Sequence, residues 1–114
     1  MEIVIIGSGN VAFHLNNAFY EANIKVSQLF GRNEDALKLM SETTKIPYST
    51  NTLQNADLYI ICVKDDVIAE VSQIIKNENA LVVHTSGSMP KDALEGNYKK
   101  GVFIHCKLFL KTKF

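Results

Sequence analysis

The chain has 114 residues, 46% hydrophobic and 21% charged, which fits one folded domain and excludes a disordered tract, a collagen-like repeat and a disulfide scaffold. No run approaches the roughly 18–20 apolar residues of a membrane span, and Ile3 to Ile6 is too short for the apolar core of a signal peptide. The neutral net charge conceals an asymmetry: residues 1–98 carry seven Lys/Arg against twelve Asp/Glu, whereas residues 99–114 carry five lysines and no acid.

An acidic body argues against nucleic acid as a partner, because such binding rests on neutralising phosphates. Two cysteines, Cys62 and Cys106, suit a reducing cytosol. A cytoplasmic protein acting on a small molecule, with neither membrane nor nucleic acid as partner, is the expectation.

In chain order, Ile3 to Ile6 is a continuous β-branched run, as in a parallel strand covered on both faces. Gly7-Ser8-Gly9 breaks it. Apolar residues then recur at helical spacing through Val11, Leu15, Ala18, Phe19 and Ala22, with Asn23 suited to the left-handed conformation that ends a helix. Lys25 to Phe30 reads as a second strand. Asn33 is placed to cap a second helix, with Glu34 and Asp35 in its first turn, running to about Thr43.

Ile46 to Ser49 reads as a short third strand and Leu53 as the centre of a weak helical turn. Leu58 to Val63 is the clearest internal strand. Asp65 or Asp66 then caps a helix with Val67, Val71, Ile74 and Ile75 as its apolar face. Ala80 to Val83 is the next strand, Thr85 to Ser88 a polar loop, Pro90 the opening of a short helix, and Val102 to Ile104 a last strand. Alternating strands and helices predict an α/β fold, a doubly wound, mainly parallel, Rossmann-like sheet in a single domain.

The chemistry concentrates in the first turn. Gly7, Gly9 and Ala12 form G-x-G-x-x-A between a strand and an amphipathic helix, the context that the dinucleotide fingerprint requires. Gly7 permits the turn, Gly9 lets a pyrophosphate approach the backbone, and Ala12 lets the helix pack closely. Backbone from Gly7 to Ala12, through Ser8, Asn10 and Val11, is assigned to the diphosphate at the helix N-terminus. The alternative is a glycine turn that binds nothing.

NAD-preferring domains place an acid at the end of the second strand. Here Gly31-Arg32-Asn33 follow Phe30, and the Arg32 guanidinium suits a 2′-phosphate, which favours NADP over NAD. Glu34 and Asp35 lie nearby, and a solvated arginine is the plainer reading. Val63 and Lys64 leave the fourth strand where they would line the adenosine side, although Lys64 pointing to water explains it equally well. His84, Thr85 and Ser86 are placed to face the nicotinamide half. His84 and Ser86 are the weak catalytic candidates, while turn capping alone accounts for such Ser and Thr residues. Cys62 reads as core and His14 as a surface or packing residue. No Cys/His/Asp grouping has metal-ligand spacing.

Together V-I-I-G-S-G-N-V-A-F-H-L, F-G-R-N, A-D-L-Y-I-I-C-V-K-D-D-V-I and V-V-H-T-S-G-S, across about residues 1–104, resemble the N-terminal Rossmann-like domain of an oxidoreductase-like family. That family is related to pyrroline-5-carboxylate reductases, the 6-phosphogluconate dehydrogenase superfamily and deazaflavin-linked NADP oxidoreductases. The resemblance implies NADP at Gly7 to Ala12 and Arg32, with the Val63-Lys64 and His84-to-Ser88 loops along the cofactor. It also implies a helical C-terminal domain that completes the substrate pocket and makes the relatives homodimeric.

After Val102-Phe103 such relatives read H-P-L-Q-T-F-S, whereas this chain reads Ile104-His105-Cys106-Lys107-Leu108-Phe109-Leu110-Lys111. Deleting one T from codons GTN TTT CAT CCA TTG CAA ACT TTT TCT AAA yields V-F-I-H-C-K-L-F-L-K, the residues at 102–111. The expectation is a Rossmann-like domain over residues 1–103 and an out-of-frame basic tail over 104–114. A genuine cationic tail is the alternative. The frameshift reading requires the other downstream frame to encode a helical domain.

The expected function is NADP binding for hydride transfer between nicotinamide and a small carbonyl or imine substrate, with no turnover by this length of chain alone. A nucleotide-sensing module without catalysis is the alternative. A methyltransferase using S-adenosylmethionine is disfavoured by the missing ribose-binding acid and by Ala12.

Overall fold

The computed structural model describes residues 1–103, so the expected basic tail and its frameshift lie outside the described residues. Six parallel strands form one sheet: β1 (Ile3–Ile6), β2 (Gln28–Phe30), β3 (Tyr48–Ser49), β4 (Leu58–Ile61), β5 (Leu81–His84) and β6 (Lys99–Val102). Their order, β3-β2-β1-β4-β5-β6, confirms the doubly wound α/β prediction. Helices α1 (Asn10–Glu21), α2 (Glu34–Thr44) and α3 (Ile68–Ser72) connect them, with 3-10 turns at Asp65–Val67 and Lys91–Ala93.

The period-two alternation of strand side chains splits the core in two. Ile3, Ile5 and Ile60 pack with Leu15 of α1 and Leu37 and Met40 of α2. Val4, Ile6, Ile61 and Val82 pack with Ile68 of α3, Ile75 and Leu94 on the opposite face. Both β1 faces are therefore buried, which is why its sequence is an unbroken apolar run. In the second core the Tyr98 hydroxyl donates to the Ser72 carbonyl and Tyr59 donates to the Gln54 carbonyl. Burial pushes both phenols above their ordinary pKa.

Several boundaries differ from expectation for identifiable reasons. Strand β2 begins at Gln28 rather than Lys25, although Val26 is still buried. No helical turn forms around Leu53. Instead the Gln28 side chain holds that segment extended, donating from Nε2 to the Thr52 carbonyl and accepting the Gln54 N–H at Oε1. Neither Asp65 nor Asp66 caps a long helix: Lys64 occupies the cap position of the 3-10 turn, without a side-chain cap bond. Strand β6 begins earlier than predicted, at Lys99. Asn23, with φ of 60°, does take the left-handed conformation after α1.

Candidate functional site

The strand order reverses between β1 and β4, and in open α/β sheets ligands sit beyond the carboxyl ends of strands at such a reversal. A cavity of about 820 Å³ occupies that place. It is floored by the turn from Gly7 to Val11 and flanked by Gly31, Arg32 and Asn33 after β2. Val63, Lys64 and Thr85 close it on the other side.

Gly7 has φ of +128°, a conformation strained for any L side chain, and a Cβ there would lie 2.2 Å from the Cys62 carbonyl oxygen. Its N–H donates to the Phe30 carbonyl at 2.7 Å, pinning the turn between β2 and β4. Gly9 differs. Its φ is −82°, and a Cβ there would meet nothing within 4 Å, so the space above its backbone is open. An anion fits there, and that open approach is the fit a pyrophosphate needs.

The two long helices begin in opposite ways. At α2 the Asn33 side chain accepts the Ala36 N–H at 3.1 Å, and Glu34 and Asp35 sit in the first turn. At α1 the cap position is Gly9, with no side-chain cap bond and no acid in the first turn. The first intrahelical bond is Phe13 N–H to the Gly9 carbonyl, so the N–H groups of Asn10, Val11 and Ala12 find no acceptor within the helix. The positive end of α1 is thus uncompensated beside the cavity, an arrangement suited to phosphate. Ala12 itself is fully buried in the α1-side core, the packing role expected of it.

Arg32 and Asn33 border the cavity, but the Asn33 carboxamide oxygen is engaged by its helix. The Arg32 Nη2 lies 3.7 Å from a carboxylate oxygen of Glu70, both side chains being highly exposed. Glu70, Val67, Val71 and Ile74 form the wall opposite. Three of these were assigned to the apolar core face of a helix. In the structure Ile68 and Ile75 are buried in the core and Val71 packs against it while also bordering the cavity, whereas Val67 and the 43% exposed Ile74 border the cavity. Apolar residues one helical turn apart mark a buried stripe and a ligand wall equally well.

The catalytic candidates are arranged differently from the expectation. His84 is fully buried and does not border the cavity. Its Nδ1 accepts the Ser86 N–H at 3.1 Å and its Nε2 is 2.9 Å from the Pro90 carbonyl. One partner only donates and the other only accepts, a pattern that pairs an acceptor Nδ1 with a donor Nε2–H. Ser86 also lies off the cavity wall: its Oγ accepts the Ser88 N–H, and Ser88 in turn donates to Asp65 at 2.9 Å. Both candidates therefore organise the loop after β5, whose Thr85 does border the cavity. His84→Ala is expected to cost about 2–3 kcal/mol of stability by removing a fully buried side chain together with its hydrogen bonds to the Ser86 N–H and the Pro90 carbonyl. A urea midpoint unchanged by that substitution would contradict the structural role.

Among the described residues no group of His, Cys, Asp and Glu is placed to hold a metal ion, and no helix is long and apolar enough to cross a membrane. Residues 2–87 match the family described as NADP oxidoreductase, coenzyme F420-dependent. The chain belongs to that family. Its domain is accordingly the NAD(P)-binding Rossmann domain of an oxidoreductase family, as the motif combination implied. Among solved structures, a candidate NADP oxidoreductase from Bacteroides fragilis is 36% identical over 85% of this chain, with a TM-score of 0.76. Prephenate dehydrogenase from A. aeolicus, solved with hydroxyphenyl propionate and NAD+, has a TM-score of 0.70 at 15% identity over 83% of the chain. A pyrroline-5-carboxylate reductase from Coxiella burnetii has 0.59 at 23% over 72%. These last two share the fold. The chain spans 40%, 37% and 34% of the three structures, respectively. No curated protein matches the chain.

Proposed function

We propose that this domain binds NADP(H) and presents it for hydride transfer to or from a small carbonyl or imine carbon. The observation that carries the reading is the pairing of an open, uncapped α1 N-terminus at Gly9 with a guanidinium bordering the same cavity. The cofactor, when bound, supplies the hydride chemistry, and the protein binds and orients it. The Asn10 to Ala12 amides would hold the diphosphate, and Arg32 would take the 2′-phosphate after leaving Glu70. Val67, Val71 and Ile74 would exclude water along one wall.

His84 and Ser86 lie off the cavity wall and are bonded within the loop after β5, which supports binding without turnover by the described residues alone. The same observation favours a second reading, a dinucleotide-sensing module without catalysis. Hydride exchange from NADPH to a panel of small carbonyls and imines, by a relative spanning the family's whole length, separates the two.

Arg32→Ala tests the cofactor. A single charge-assisted contact is worth about 1–3 kcal/mol, so NADP affinity should fall by roughly ten- to a hundredfold while NAD binding stays nearly unchanged. Equal losses for both, measured by calorimetric titration, would remove the case for phosphate recognition.

A further inference from the structure

The charged side chains bordering the cavity are Arg32, Lys64 and Glu70, so Glu70 is the one anion on its wall among the described residues. It comes from α3, across the mouth from Arg32, and approaches that guanidinium to 3.7 Å. The other acids nearby, Asp66 of the 3-10 turn among them, do not border the cavity. Glu34 and Asp35 occupy the first turn of α2, and the Asp65 carboxylate accepts from Ser88. Any nucleotide group that reaches Arg32 must therefore enter the surroundings of Glu70.

We propose that Glu70 is the specificity-determining counterweight to Arg32, setting how strongly the site distinguishes a 2′-phosphorylated adenosine dinucleotide from its unphosphorylated form. The inference rests on the dinucleotide reading above. A 2′-phosphate taken by Arg32 displaces Glu70 from its ion pair and then faces that carboxylate, so like charges oppose binding. A free ribose hydroxyl is instead a donor, and a carboxylate accepts from it. Glu70 thus contributes from α3 the acid that is missing at the end of β2. Its high exposure keeps the effect modest, because solvent screens the pair. The site consequently retains appreciable affinity for NAD despite Arg32.

The test is titration of the 114-residue chain with NADP+ and NAD+ at low ionic strength, comparing the wild type with Glu70→Gln and Glu70→Arg. The ratio of NADP+ to NAD+ affinity should rise about fivefold in Glu70→Gln, the scale of an exposed charge contact, and further in Glu70→Arg. Added salt should shrink both changes. Glu95→Gln, which alters an exposed acid bonded to Gln73 away from the cavity, should leave the ratio unchanged. A ratio that stays within about twofold of wild type in both Glu70 variants, or falls, overturns the assignment while leaving dinucleotide binding intact. If the wild-type chain binds neither dinucleotide, the underlying reading fails and this one with it.

Discussion

Gly7→Ala is expected to cost about 4 kcal/mol of stability, or to prevent folding, because strain and a steric clash act together at one position. The clash is with backbone. The Cys62 carbonyl oxygen, 2.2 Å from where a Cβ would sit, follows directly on β4, and the Cys62 N–H is bonded to the Ile6 carbonyl at 2.7 Å. It has no rotamer to change, so relief requires β1 and β4 to separate at the centre of the sheet. A urea denaturation midpoint measures the cost. A loss below about 1 kcal/mol, the average for any substitution, would mean that the turn adopts another conformation.

Gly9→Ala should behave in the opposite way. With φ of −82° and open space around the added methyl, the variant should retain wild-type stability to within about 0.5 kcal/mol. Dinucleotide affinity should nevertheless fall at least about tenfold, because the methyl occupies the approach to the backbone that the diphosphate needs. Running a denaturation curve and a binding titration on the same preparation separates the two glycines: Gly7 holds the fold and Gly9 holds the ligand. If Gly9→Ala binds NADP normally, the diphosphate does not lie on that backbone, and the proposed cofactor site is wrong.

The strands most deeply placed were the most legible. Ile3 to Ile6 and Tyr59 to Ile61 are buried by packing on both faces, and that burial is written directly as unbroken apolar runs. The Gly7 turn and the Asn33 cap are equally readable, since a left-handed turn calls for glycine and Asn33 caps a helix three residues on. Of the features that the local sequence does not disclose, those at Gln28 and Glu70 depend on partners distant in sequence. Gln28 straightens the chain at Thr52 and Gln54, and no local signal around Leu53 announces that. His84 is drawn inward by Pro90 and Ser86, a bond pattern that its polar neighbours disguised as a reactive loop. Glu70 carries no local signal, because only the fold brings α3 across from Arg32.

The unequal beginnings of α1 and α2 have one more consequence. Helix α2 is capped by the Asn33 side chain, whereas α1 begins without any side-chain acceptor. A bound diphosphate would act as the absent capping group, so the ligand belongs to the molecule's architecture as much as to its chemistry. Occupancy would then tighten the central strand and its following helix as a unit, and the folded population would grow with dinucleotide concentration.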